Sequence, residues 1–237
     1  MNPTNVSAAA APRLVFLVDV DNTLLDTDRV TADLHRFLAA QIGPTEQQFY
    51  FELFEQLRHE LGYADYLGAL QQYRLAHPQH TEIMHVSLYL LNYHFANRLF
   101  PGSLDTIEYL KQFGATVILS DGDVVFQPFK IENAGLLEAF DGQALIYIHK
   151  ELETAAVAER FPADHYVMFD DKLRILDALK KIWGTRVTTV WVRQGHYAHE
   201  AKYIDGYAPA DLTIDHIADA MQYDAAQFVA AARATKE

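Results

Sequence analysis

FLVDVDNTLLD, Phe16 to Asp26, is the stretch on which the fold turns: an unbroken apolar and β-branched run that delivers two carboxylates, Asp19 and Asp21, two positions apart. LVFLV (14–18) has the composition of a strand built for burial. In open parallel α/β sheets the ligand crevice lies outside the carboxyl ends of the strands. The two aspartates stand where such a crevice would open.

Four further runs read as strands: ATVIL (115–119), ALIYI (144–148), HYVMF (165–169) and RVTTVWV (186–192). Helical segments separate most of them, among them LDTIEYLKQF, VVFQPFKIENAGLLEAF, ELETAAVAERF and KLRILDALKKIW. The alternation predicts an α/β protein with a parallel sheet and crossover helices. One interval breaks the pattern. From Arg29 to Leu99 apolar residues recur at helical spacing, with breaks at Gly43-Pro44, Gly62 and Pro78, which predicts an insertion of roughly four helices. FPGS (100–103) marks the return to the sheet, with Ser103 as the expected cap of the next helix.

Composition narrows the function. The 237 residues are 50% apolar, enough for a sizeable core. No cysteine is present, which removes thiolate chemistry and thiolate metal sites and is consistent with a reducing, cytoplasmic location. Against 32 Asp and Glu stand 19 Lys and Arg, a net charge of −13, which argues against a nucleic acid or an anionic membrane as partner. The opening MNPTNVSAAAAPR has neither the charged start nor the apolar run of a signal peptide, and residues 1–12 are expected to be a disordered tail. No apolar stretch is long enough to span a bilayer.

The residues that follow each strand run carry the chemistry. They are Asp19, Asp21 and Thr23; Ser120, Asp121 and Asp123; His149 and Lys150; Asp170 and Asp171. Asp-x-Asp before Asn-Thr is also good turn chemistry, and a lone Ser or Lys at a strand end is ordinarily a cap or a solvated side chain. Gathered at one rim, however, the acids repel: two carboxylates about 4 Å apart oppose each other by roughly 4 kcal/mol at an effective dielectric near 20. Protonation or a hard divalent cation offsets that, and oxygen-only ligands completed by water suit Mg²⁺. A carboxylate nucleophile, a neighbouring carboxylic acid, a metal, a hydroxyl and an ammonium are the parts for moving a phosphoryl group through an aspartyl phosphate.

In these residues the sequence resembles the haloacid dehalogenase-like hydrolase superfamily, whose four motifs occur in order as DVDNT (19–23), ILS ending at Ser120, IHK ending at Lys150, and FDD with Asp170 and Asp171. The resemblance implies a Rossmann-like core (13–27 and 98–237) with a helical cap (28–97) inserted after the first motif. It implies Asp19 as nucleophile and Asp21 as the acid that protonates the leaving oxygen and then activates water. Ser120 and Lys150 would hold the phosphoryl group. Mg²⁺ would be bound by the Asp19 carboxylate, the Asp21 backbone carbonyl and the pair Asp170 and Asp171, Asp171 being the surer ligand. Dehalogenases in the family generally lack an acid at the position of Asp21, because halide leaves without a proton. The expected function is therefore a Mg²⁺-dependent phosphatase acting on a small phosphorylated metabolite. A phosphomutase, a non-catalytic phosphate- and metal-binding scaffold and, less favoured, a 2-haloacid dehalogenase are the alternatives.

Several residues stay open at this level. Lys130 competes with Lys150 for the phosphate, but Lys150 ends a strand-like run whereas Lys130 lies in a helical pattern. Lys172 reads as a solvated helix start or as a salt bridge to the acidic pair, and Asp177 as a displaced further acid. Asp121 and Asp123 are expected to shape a turn around Gly122. Among 11 histidines, His77, His80, His85, His94, His196 and His199 offer zinc-type pairs with no third ligand in view, so they read as surface or core residues. Arg193 and His196 follow the fifth run and could border the site. Tyr50, Phe54, Tyr63 and Tyr66 fit helix packing.

Overall fold

In the computed structural model, residues 12–232 are described; the expected tail lies outside them except for Pro12. Six parallel strands form one sheet in the order β3-β2-β1-β4-β5-β6. They are β1 (Leu14–Val18), β2 (Gly114–Asp121), β3 (Ala144–Tyr147), β4 (His165–Asp170), β5 (Val187–Val192) and β6 (Leu212–Ile214). This is the Rossmann-like order, and it places the reversal of strand order between β1 and β4. The register Val18↔Phe169, extended by the Asp19 amide donating to the Phe169 carbonyl at 3.0 Å, brings the residues after both strands to the same point.

β1 is buried throughout because both of its faces are covered. Leu14, Phe16 and Val18 enter one apolar cluster, Val15 and Leu17 the other. β4 divides the same way, Val167 and Phe169 against Tyr166 and Met168. A period of two with apolar residues on both sides yields the continuous runs seen in the sequence.

Between Arg29 and Leu99 the chain makes the expected four α-helices, which the structure bounds as α1 (Thr27–Ile42), α2 (Pro44–Leu61), α3 (Tyr66–Ala76) and α4 (Ile83–Leu91). Asp26 caps α1, accepting from the Arg29 amide at 2.9 Å. Gly43 turns the chain at φ 85° and Pro44 opens α2, where its missing N–H costs nothing. Asp65 caps α3 through the Gly68 amide at 2.7 Å. Leu34, Leu38, Tyr50, Phe54, Tyr73 and Leu90 join the same cluster as Phe16, so the core of the insertion is continuous with one face of the sheet.

The two chain crossings into the insertion lie side by side. The Asp26 amide donates to the Arg98 carbonyl at 2.8 Å and the Phe100 amide to the Leu24 carbonyl at 2.9 Å. Ser103 does not cap the next helix, α5 (Ser103–Lys111), whose cap is Gly102. Its hydroxyl instead donates to the Leu24 carbonyl at 2.9 Å and ties the return chain to the first crossing.

The remaining crossovers hold α6 (Phe126–Asn133), α7 (Leu136–Ala139), α8 (Thr154–Arg160) and α9 (Leu173–Trp183), followed by α10 (Ala201–Ile204) and α11 (Ala225–Ala231). The segment read as one helix after β2 divides at Gly135, which adopts φ 77°. β6 went unread in the sequence because three residues are too few for any period to show. Among the described residues no helix is long and apolar enough to cross a membrane.

Candidate active site

The loop after β1 is a tight coil in which the Val20 carbonyl accepts from the amides of Leu24 and Leu25, both at 2.9 Å. Asn22 takes φ 59°, a conformation tolerable for asparagine. Its side chain is engaged by Asp28, receiving the Asp28 amide at 3.1 Å and donating to the carboxylate at 3.0 Å. This geometry buries Asp19 while Asp21 faces a cavity of about 800 Å³. The cavity lies between the strand ends and the insertion, with Thr31, Phe54, Arg58 and Tyr66 on the insertion side and Asp121, Gln127, Lys130 and Lys172 on the sheet side.

Asp19, Asp170 and Asp171 converge, each offering an oxygen within 4.8 Å of the others. Lys150 Nζ, itself buried, sits 2.5 Å from Asp19 Oδ1 and 2.7 Å from Asp170 Oδ2, and donates to the Leu119 carbonyl at 3.2 Å. The contact to Asp170 is an ion pair lying off a good hydrogen-bond direction. Asp170 Oδ1 accepts from the Lys172 amide at 2.8 Å. Asp19 Oδ2 and both Asp171 carboxylate oxygens are buried with no hydrogen-bond partner.

Burial pushes Asp19 up to about 6, with Lys150 opposing and Asp170 adding to the rise. Asp171 is driven well above the usual carboxylate value, first by burial and then, against the pull of Lys172, by Asp170 and Asp19. Burial works against the charged form of Lys150, but Asp170, Asp19 and Asp121 prevail and hold it protonated. Orphaned carboxylate oxygens in a buried, oxygen-only set are the donors a hard divalent cation takes. The residues present fit such an ion.

Asp21 lies outside this cluster. Its Oδ1 accepts from Lys130 Nζ at 2.5 Å and from the Thr27 hydroxyl, and its Oδ2 from Gln127 Nε2 at 3.0 Å. Burial would raise its pKa, but the charge of Lys130 and these donors outweigh it and hold the carboxyl below the ordinary value. Gln127 also donates to the Ser120 hydroxyl at 2.9 Å, linking the residue of β2 just before Asp121 to Asp21. Gln127 and Lys130 stand three apart on α6 and share one face. The sequence reading passed over Gln127 because no charge or motif marks it.

The other candidates find definite places. Lys150 serves Asp19 and Asp170 while Lys130 serves Asp21, so each lysine has its own carboxylate. Lys172 is no solvated helix start: it lines the cavity, and Asp171, Asp19 and Asp170 raise its pKa against burial. Asp121 accepts from the Lys150 amide at 2.8 Å, and Asp123 from the amides of Val125 and Phe126 at 2.8 and 2.6 Å. Asp177 pairs with Lys181 and takes no part in the cluster. His196 lines the cavity, its ring against Asp28 at 2.6 Å. Arg193 pairs with Asp215 and does not line it. Tyr50 and Phe54 pack as expected, yet Phe54, Tyr63 and Tyr66 also line the cavity.

A family model described as haloacid dehalogenase-like hydrolase matches residues 14–182. The chain belongs to the haloacid dehalogenase-like hydrolases. The match takes in β1 to β4 and the four convergent strand ends, so the chain is an enzyme of the hydrolase class. Among solved structures, a haloacid dehalogenase-like hydrolase from Burkholderia xenovorans LB400 is 53% identical, with 92% of this chain and 99% of that one covered at a TM-score of 0.88. A haloacid dehalogenase-like family hydrolase from Xanthomonas campestris shares the fold at 16% identity, with 94% and 95% covered and a TM-score of 0.65. The L-2-haloacid dehalogenase from Xanthobacter autotrophicus does so at 16% identity, with 88% and 96% covered and a TM-score of 0.59. No curated protein matches this hydrolase.

Proposed function

We propose that this hydrolase is a Mg²⁺-dependent phosphatase that releases phosphate from a small phosphorylated metabolite through an aspartyl phosphate on Asp19. The observation that carries the reading is the second carboxylate. Asp21 faces the cavity beside the Asp19 cluster and is held there by Lys130, Gln127 and Thr27. An alkoxide leaving group needs a proton and a halide does not, so a positioned acid favours phosphate ester cleavage.

Asp19 attacks phosphorus as the ester oxygen departs with a proton from Asp21; water then attacks the phosphorus of the aspartyl phosphate, Asp21 takes its proton, and phosphate leaves. To act as an acid, Asp21 has to give up its ion pair with Lys130, and the entering phosphoryl group offers Lys130 a competing anion. Lys150 keeps the Asp19 carboxylate oriented. Ser120, with Gln127 at its hydroxyl, bounds the place of the transferred group. A Mg²⁺ ion held by Asp19, Asp170, Asp171 and the Asp21 backbone carbonyl would neutralise charge on the nucleophile and the phosphoryl oxygens. The helices over the cavity act as the cap that excludes bulk water.

The test is a panel of phosphorylated metabolites assayed for phosphate release with Mg²⁺ and with EDTA. Asp19→Asn should abolish release and Asp21→Asn should lower it by about 10²–10⁴-fold. Turnover indifferent to EDTA and to Asp19→Asn would defeat the proposal. Halide release from 2-haloacids that survives Asp21→Asn would replace it with dehalogenation.

A further inference from the structure

We propose that Glu46, His77 and His80 form a second metal site, for zinc or a similar late first-row divalent cation, on the helical insertion and apart from the catalytic cavity. The two histidines bracket the turn after α3, where the His80 amide donates to the His77 carbonyl at 3.0 Å. Their rings stack at 5.0 Å with 13° between planes. The third donor comes from the first turn of α2: Glu46 Oε2 lies 3.6 Å from His77 Nε2 and 3.9 Å from His80 Nδ1. Donors bound to one tetrahedral zinc at its usual 2.0–2.1 Å bond lengths stand about 3.3 Å apart. Both Glu46–histidine distances lie within about 0.6 Å of that spacing, and all three donor atoms lie within 4.8 Å of one another.

The surroundings are those of a prepared site. Buried Tyr73 donates its hydroxyl to Glu46 Oε2 at 2.8 Å and lies 2.7 Å from His80 Nδ1, so it bridges two of the donor atoms themselves and yields its place between them to the ion. Phe49 and the His77 ring meet edge to face, with centroids 5.1 Å apart. Among the described residues no Lys or Arg forms an ion pair with Glu46. Glu82 adds further negative charge, felt at the Tyr73 hydroxyl after burial and Glu46. Two imidazoles and one carboxylate select zinc over the magnesium expected at the aspartate cluster. Bound zinc takes the place of the proton on His80 Nδ1, and water fills the fourth position. The ion clips the start of α2 to the end of α3 and stabilises the insertion.

The experiment uses the full-length protein. Zn²⁺ is titrated calorimetrically into wild type, Glu46→Gln, His77→Ala, His80→Ala and, as a control for the aspartate cluster, Asp171→Asn. Far-UV circular dichroism confirms that each variant is folded, and histidine ring NMR signals are followed in the wild type. The expected result is one zinc per chain at this site, weakened at least 100-fold in the histidine variants and kept in Asp171→Asn. His77 and His80 signals should shift, and zinc at 100 times its Kd should raise Tm by about 5–10 °C. Affinity within twofold of wild type in all three ligand variants would overturn the site. So would binding lost in Asp171→Asn but retained in His80→Ala, because zinc would then occupy the aspartate cluster alone.

Discussion

Replacing Lys150 by methionine in metal-free protein tests whether one buried ammonium holds the strand ends together. Lys150 is 1% exposed and contacts two carboxylates, at 2.5 and 2.7 Å. At an effective dielectric near 20 each attraction is roughly 6 kcal/mol before desolvation is subtracted. Removing one partner of a buried ion pair costs about 3–5 kcal/mol, since the stranded charges must then protonate or draw in water. The expected loss at pH 7 in EDTA is therefore about 3–5 kcal/mol, or on the order of 10 °C in Tm for a chain of this length. The sign with pH follows from Asp19. Its folded pKa, already about 6 against 3.8 for the free side chain, rises further without Lys150. The unfolded chain stays ionised above 3.8, so the penalty grows from there up to the folded pKa and the deficit narrows as pH is lowered toward 5. Urea denaturation at pH 7 and pH 5 measures both. A Lys150→Met protein within 1 kcal/mol of wild type at pH 7, with an unchanged m value, would refute the reasoning.

Three more outcomes are expected. Tyr197 presents its ring to Arg58 of α2, 5.4 Å away, and to Lys172 beside the acidic pair, 4.8 Å away; Tyr197→Ala should raise KM for a phosphorylated substrate about 3–10-fold with kcat changed less than twofold, from cation–π contacts of about 0.5–1 kcal/mol each. Asp33 accepts from Arg98 Nη2 at 2.6 Å and from the Tyr93 hydroxyl. These partners outweigh burial and depress its pKa, so its contribution is complete above 3.8 and is lost as pH falls through the lower folded value. Asp33→Asn should accordingly cost about 1–3 kcal/mol near neutrality, a deficit that shrinks only as pH falls below 3.8 in an acid unfolding series. Gln194 donates to the Thr23 carbonyl at 3.1 Å and accepts from the Ile217 amide at 2.6 Å; Gln194→Ala should cost about 2–4 kcal/mol in urea by orphaning two buried backbone groups.

What could be read in advance follows the physics of each element. β1 and β4 were legible because burial on both faces forces apolar continuity, and the carboxylates were legible because they interrupt it at the crevice. The insertion showed itself by period and by Gly43, Pro44 and Gly62. The metal-type cluster at Glu46 stayed hidden, since His77 and His80 meet their third donor from another helix, a contact no local spacing encodes. Gln127 was hidden for a related reason: an uncharged amide within a helix gains its meaning only from Asp21 and Ser120 across the fold. The division of labour between Lys130 and Lys150 likewise depends on which of the two aspartates after β1 each lysine reaches, a matter of how their elements pack around that strand end.

The paired crossings at Leu24–Asp26 and Arg98–Phe100 make the helical block a detour whose two ends meet. Closing that detour places little demand on what lies inside it, because the hydrogen bonds at its neck already hold the ends together. Any stretch of chain that returns to that neck is a candidate for exchange while Asp19 keeps its place, so new selectivity can be grafted here without redesigning the sheet.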